Sequence, residues 1–140
     1  MIYVDTSALV PLFVREASST RLLDWLEASG ESLAISDWAL VEFASAVAMK
    51  VRAGGVSPAL GREAVAHLNS FADEQCTVAT PRREEFRRAA RLVADSRDGL
   101  RAGDALHLAI AESLEVKAML CLDATLSSNA RTVGIETVRP

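Results

Sequence analysis

Short apolar runs alternate along the chain with longer stretches whose apolar positions recur at three- and four-residue spacing. The short runs Ile2-Tyr3-Val4, Leu33-Ala34-Ile35, Cys76-Thr77-Val78-Ala79, residues 118–122 and residues 135–138 read as strands, the last as an edge strand after Gly134. The intervening periodicity predicts helices over residues 7–13, 18–28, 38–52, 58–73, from the Thr80-Pro81 signal to about 94, 103–115 and 125–132. Punctuation agrees with this reading. Ser36 or Asp37 stands where a helix N-cap is needed, Ser57-Pro58 is a cap followed by proline at the first helical position, and Gly30 and Gly54-Gly55 close helices. Strands alternating with helices predict an α/β fold: a three-layer α/β/α sandwich on a central parallel sheet of four to five strands.

Composition narrows the class. At 140 residues the chain fits one domain, residues 1–140, able to bury roughly two-thirds of its unfolded surface. Half of the residues are hydrophobic and 24% charged, which excludes a disordered chain. No uncharged stretch approaches the roughly 20 residues of a membrane span. The opening Met1-Ile2-Tyr3-Val4-Asp5 has no basic region of the kind that begins a signal peptide, so the expected location is cytoplasmic. Cys76 and Cys121 lack metal-ligand spacing and read as buried thiols. A net charge of −4 argues against bulk electrostatic binding of nucleic acid and leaves room for a local basic patch.

Four carboxylates stand in unusual places. Ligands of an open parallel sheet sit beyond the carboxyl ends of its strands. Asp5 and Asp123 close the first and fourth strands, which are central neighbours in a doubly wound sheet, although each could also be a helix N-cap. Glu42 shares a helical face with Trp38, Ala39, Ser45, Ala46 and Met49, with no Lys or Arg between Glu31 and Lys50, so it is expected to point into packed protein. Asp104 opens the nearly all-apolar Asp104-Ala105-Leu106-His107-Leu108-Ala109-Ile110-Ala111, where the helix dipole alone would favour it. Gathered at one end of a sheet, four carboxylates must take up protons or meet a hard divalent cation such as Mg²⁺ or Mn²⁺. Such an ion keeps open positions for phosphate oxygens.

At these residues the chain resembles the PIN-domain ribonucleases, in particular the toxin half of the VapBC toxin–antitoxin modules. Tyr3-Val4-Asp5-Thr6-Ser7-Ala8-Leu9 is similar to the family's opening strand-Asp-Thr/Ser-Ser motif, and Ser36 to Glu42 to its Ser-x₅-Glu helix. Leu100-Arg101-Ala102-Gly103-Asp104-Ala105-Leu106-His107-Leu108-Ala109 is the most specific piece, and Asp123-Ala124-Thr125-Leu126, Ala130 and Gly134-Ile135 resemble the closing pattern. The resemblance spans the chain. It implies a metal-dependent endoribonuclease with Asp5 and Asp104 as principal Mg²⁺ ligands, Mn²⁺ substituting. Glu42 and Asp123 would complete the acidic cluster, and the hydroxyls of Thr6 or Ser7 would orient its parts. It implies hydrolysis by in-line attack of water, leaving 5′-phosphate and 3′-hydroxyl ends. It also implies an RNA substrate, a cognate antitoxin protein, and a homodimer or toxin–antitoxin hetero-oligomer paired through helices such as 18–28 and 38–52. One departure is Cys121, where the family usually has Thr or Ser, which weakens the support expected for Asp123.

Other features carry two readings each. Arg83, Arg87 and Arg91 form a stripe near Arg82, Arg88, Arg97 and Arg101. They are either a phosphate or acidic-partner contact or a solvated face with a Glu84–Arg88 pair, with Phe86, Ala90 and Val93 packed inward. Arg101 is the member expected to lie beside the site. His107, one turn beyond Asp104, is either a metal ligand or base or, as its apolar segment favours, a packed, hydrogen-bonded core histidine. Two other functions fit less well. A Mg²⁺-dependent phosphatase of the haloacid-dehalogenase kind needs a second Asp where Ser7 stands, and a receiver needs an Asp on the third strand, where there is none. A catalytically degenerate domain that binds RNA or protein would not need all four acidic positions filled.

Overall fold

In the computed structural model, which describes residues 1–96 and 99–140, five strands lie in one all-parallel sheet. They are β1 (Ile2–Val4), β2 (Leu33–Ser36), β3 (Cys76–Ala79), β4 (Ala118–Leu120) and β5 (Glu136–Val138), in the order β3-β2-β1-β4-β5. The helices are α1 (Thr6–Phe13), α2 (Ser19–Ser29), α3 (Asp37–Arg52), α4 (Pro58–Gln75), α5 (Arg83–Asp95), α6 (Ala102–Ser113) and α7 (Ala124–Thr132). The strand order reverses at β1, with β2 on one side and β4 on the other, and the carboxyl ends of strands at such a switch point are where open parallel sheets bind ligands.

Side-chain alternation along the strands divides the core into two layers. Ile2, Val4, Ile35 and Leu120 face Leu9, Leu22, Phe43, Val47 and Leu68 of α1–α4. Tyr3, Ala34 and Met119 face Leu92, Leu106, Ile110 and Leu126 of α5–α7. The result is the α/β/α sandwich expected from the pattern. Residues Ala105–Ala111 of α6 are buried on every side, as an apolar run without helical periodicity requires. Among the described residues no helix is long and apolar enough to cross a membrane.

Most predicted boundaries lie within two residues of the observed ones. Four local readings do not survive. Thr80-Pro81 does not open α5: the helix starts at Arg83 behind an N-cap at Arg82, whose amide bonds Glu85 Oε2 at 2.7 Å, while the Thr80 hydroxyl donates to Asp37 Oδ2 at 2.7 Å. β4 stops at Leu120, because the amides of Leu122 and Asp123 leave the ladder for the Ser7 hydroxyl. On α5 the inward residues are Glu85, Ala89 and Leu92, whereas Phe86, Ala90 and Val93 are exposed and line a shallow apolar groove with Trp38 and Leu106. Arg88 forks onto Glu112 across the helix pair at 2.7 Å from each nitrogen rather than pairing with Glu84. Arg97 lies outside the described residues.

Candidate active site

Asp5 is the one residue between β1 and α1, and it does two jobs there. Its Oδ2 accepts the Ser7 amide at 3.0 Å, capping α1, and its Oδ1 accepts the Ser7 hydroxyl at 3.0 Å. Ser7 Oγ in turn accepts the amides of Leu122 at 2.8 Å and Asp123 at 3.1 Å. Its one proton and two lone pairs are therefore all used, and one hydroxyl ties the end of β1 to the loop after β4. Asp5 is only 3% exposed. Burial raises its carboxyl above the ordinary range, although the His107 ring, the Ser7 donors and the Cys121 thiol work against that.

Asp123 repeats the capping role on α7, its Oδ1 accepting the Leu126 amide at 2.8 Å. Its Oδ2 faces Arg101, which spans two acids: Nη2 to Asp123 at 3.3 Å and Nε to Asp104 Oδ2 at 2.8 Å. Arg101 is the N-cap of α6 and Asp104 sits in that helix's first turn, so backbone geometry alone brings the guanidinium back onto the carboxylate. Arg101 remains 72% exposed, which makes the pair weak as a stabilising element.

Glu42 reaches the same place from α3. Its Oε2 accepts the Thr6 hydroxyl at 2.7 Å and His107 Nε2 at 2.6 Å. Its Oε1 lies 2.6 Å from where a β-carbon on Gly103 would sit, so the bare backbone of Gly103 is what admits Glu42 to the first turn of α6, beside Asp104. Burial acts to raise the Glu42 carboxyl, yet the hydrogen bond and charge of His107, then Thr6 and Arg101, outweigh it and hold the group below the ordinary range. Glu42 is not packed within its helix face as the spacing implied. The buried stripe of α3 is Ala39, Phe43 and Val47, with Ser45 and Met49 exposed, and Glu42 stands at its edge with 27% of its side chain open.

His107, read from its apolar segment as a core histidine rather than a metal ligand or base, stands directly behind Glu42. It is packed and hydrogen-bonded as expected, 1% exposed, but its partners are Glu42 on one nitrogen and Tyr3 Oη on the other, at 2.8 Å. Tyr3 Oη also meets Ser36 Oγ at 2.7 Å, and Ser36 caps α3 through the Ala39 amide at 3.2 Å. Burial pushes the Tyr3 hydroxyl up, so it stays protonated. A weaker signal lay in the sequence: His107 falls one turn after Asp104, on a helix with no solvent face to receive an imidazole.

The four acids are thus chained together. Ser7 joins Asp5 to Asp123, Arg101 joins Asp123 to Asp104, Gly103 seats Glu42 beside Asp104, and Thr6 and His107 fix Glu42. Among the described residues, no three His, Cys, Asp or Glu side chains stand ready to chelate an ion as they are. Arg101 takes the position between two of the acids. Cys121 does not leave Asp123 unsupported: its thiol, pushed up to about 12 by burial and then by the Asp5 charge, bonds the Asp123 carbonyl at 3.3 Å, while Ser7 holds the Asp123 amide.

This sheet with acids at its switch point is the architecture of a PIN domain, and the PIN-domain family model matches residues 2–131. The chain belongs to that family, on its VapC ribonuclease side. It is 33% identical over 145 residues to Ribonuclease VapC47 of Mycobacterium tuberculosis, covering all of this chain and 97% of the relative. Three solved structures share the fold. VapC20 of Mycobacterium tuberculosis, a sarcin–ricin loop cleaving toxin, superposes with a TM-score of 0.78 at 19% identity, each chain fully covered. PAE2754 of Pyrobaculum aerophilum gives 0.70 at 23% identity, over 98% of this chain and 83% of that one. FitAcB of Neisseria gonorrhoeae gives 0.70 at 14% identity, over 100% and 98%.

Proposed function

We propose that this protein is a divalent-metal-dependent endoribonuclease, the toxin of a toxin–antitoxin pair, with Asp5, Glu42, Asp104 and Asp123 as its acidic centre. The observation that carries this reading is the linkage of four carboxylates from four different elements beyond the ends of β1 and β4. Fold alone would permit many functions; the donor set is what narrows it.

All-oxygen carboxylate donors suit Mg²⁺ or Mn²⁺ and disfavour softer ions. Glu42 and Asp123 keep 27% and 31% of their side chains open, and Asp104 is reachable once the exposed Arg101 swings aside. When bound, the ion supplies charge neutralisation at a phosphodiester and acidifies a water molecule. The remaining chemistry belongs to the chain. Ser7 fixes the Asp5 carboxylate in one orientation, and Thr6 and His107 do the same for Glu42. Arg101, displaced from Asp104 and Asp123, is placed to meet a phosphate oxygen of RNA. The products are 5′-phosphate and 3′-hydroxyl ends.

An antitoxin protein is the partner proposed, as is a homodimer or toxin–antitoxin hetero-oligomer, acting in the cytoplasm. The family match leaves the phosphatase reading without support.

The test is to incubate antitoxin-free protein with total cellular RNA in Mg²⁺, in Mn²⁺ and in EDTA, and to map new 5′ ends, with Asp104→Asn as control. Discrete metal-dependent cuts bearing 5′-phosphate and absent from the variant are expected. Folded wild-type protein that cuts nothing in either metal would instead indicate a binding domain that has lost catalysis.

A further inference from the structure

Behind the acidic centre runs a buried polar line that the resemblance does not assign: Ser36 Oγ, Tyr3 Oη, His107 Nδ1, His107 Nε2 and Glu42 Oε2, with successive contacts of 2.7, 2.8 and 2.6 Å across the ring. It crosses three elements, β1, β2 and α6, before it reaches α3. Tyr3 and His107 are sealed from solvent, and their rings meet edge to face at 5.7 Å. Polar groups in such a place must be fully bonded or they destabilise the core, so an apolar pair would be the simpler way to fill it.

Hydrogen-bond bookkeeping along the line leaves little freedom. An ionised carboxylate only accepts, so Nε2 donates to Glu42 Oε2 whichever state the ring is in. The Tyr3 hydroxyl serves Nδ1 and fixes the ring plane. Both protein donors to Glu42, Thr6 and His107, act on the same oxygen, Oε2. The other oxygen, Oε1, is the one turned toward Gly103 and the first turn of α6, where Asp104 sits. A free glutamate side chain has rotamer entropy to lose on being held, and here it is held from behind.

We propose that His107 is a positioning residue: locked by Tyr3 on one nitrogen, it clamps Glu42 Oε2 with the other, so that Oε1 is presented to the acidic cluster. The proposal rests on the metal-dependent reading above and adds to it the device that pre-orients one ligand oxygen. Its consequence is that a side chain with no contact to RNA or to the ion controls how well the centre takes up the ion.

The test reads Mn²⁺ affinity by electron paramagnetic resonance on purified protein, with the thermal midpoint of each variant taken alongside. His107→Phe keeps the ring and its packing but loses both nitrogens, and its Mn²⁺ affinity is expected to fall about 10–100-fold. His107→Gln restores a donor at similar reach and should recover most of that loss. Tyr3→Phe leaves the clamp in place but unlocked, with a loss of only a few-fold. In a Glu42→Gln background, His107→Phe should cost no further affinity, because its route of action is already gone; a purely structural role would not produce that non-additivity. Should His107→Phe fail to fold, the Gln and Tyr3 variants decide the matter by the same affinities. Wild-type affinity in folded His107→Phe, or an equal loss in the Glu42→Gln background, overturns the proposal. Wild-type protein that binds Mn²⁺ without cleaving RNA removes the nuclease reading and leaves the clamp standing, whereas wild-type protein that binds no Mn²⁺ overturns both.

Discussion

Two corners of the molecule are built alike and behave differently. β1 runs through Asp5 into α1, and β4 runs through a short loop to Asp123 and α7; in each the aspartate caps the helix, and Ser7 serves both. Yet Asp5 is buried with both oxygens bound to Ser7, while Asp123 keeps 31% of its side chain open and shares its free oxygen with Arg101. Asp5 directly follows the buried middle strand β1, whereas Asp123 lies beyond Cys121 and Leu122, past the end of β4. The same local grammar yields a rigid, desolvated carboxylate at one corner and an adjustable one at the other. The proposed centre, holding an ion and admitting an RNA strand, would have use for both.

Removing a carboxylate charge from either corner has the largest expected effect. Asp5→Asn or Asp104→Asn should cost several kcal/mol of transition-state stabilisation, about a thousandfold or more in cleavage rate, while the corresponding change at Asp123 should cost less. Equal losses at Asp5 and Asp123 would erase the distinction drawn between the corners. Ser7→Ala attacks the joint itself. It orphans two amides and one carboxylate oxygen, so denaturant unfolding should show a loss of about 2–4 kcal/mol. A loss below half a kcal/mol would mean that the corners are not tied through this hydroxyl.

Gly103→Ala separates activity from stability. The new β-carbon would push only the end of the Glu42 side chain and the Trp38 ring edge, so the thermal midpoint should move by a few degrees at most. Cleavage should nonetheless fall about 10–100-fold, because Glu42 is displaced from Asp104.

A smaller effect comes from the raised Asp5 carboxyl in metal-free protein. A group whose folded value lies above its unfolded one, about 3.9 for Asp, contributes its stability below that unfolded value and loses it as pH rises through the folded value. Asp5→Asn should therefore leave metal-free protein more stable than wild type at pH 7, with the gap closing as pH falls toward 4; an unchanged gap across that range would contradict a desolvated Asp5. The smallest effect is expected at Arg101. Because its guanidinium is mostly exposed, Arg101→Ala should change stability by less than about 1 kcal/mol and raise Mn²⁺ affinity by removing a competing cation.

The alternation of apolar runs and helical periods was enough for the layer order, the parallel sheet and the central pair β1–β4, because burial on both faces leaves strands that are short and almost wholly apolar. All four acids were legible for a related reason: carboxylates at strand ends and on apolar helices have few ways to be satisfied. The hydroxyls of Thr6 and Ser7 and the guanidinium of Arg101 were legible too, and what the sequence did not contain was the residue that holds Glu42 from behind. Glu42 has no neighbouring base along the chain, and the one that meets it, His107, comes from 65 positions away. The place of Phe86 and Val93 was misjudged because α5 has both a charged and an apolar stripe, and its inward side is chosen by the Glu85 cap and the Arg88–Glu112 fork, neither of which periodicity records.

Whether four carboxylates from four elements act as one metal centre is read by calorimetric titration of metal-free protein with Mn²⁺. Wild-type protein should bind, and Asp5→Asn and Asp104→Asn should each weaken binding at least tenfold, with the double variant little worse than either single one. Binding that survives both substitutions, or losses that simply add as for independent sites, would contradict a single centre.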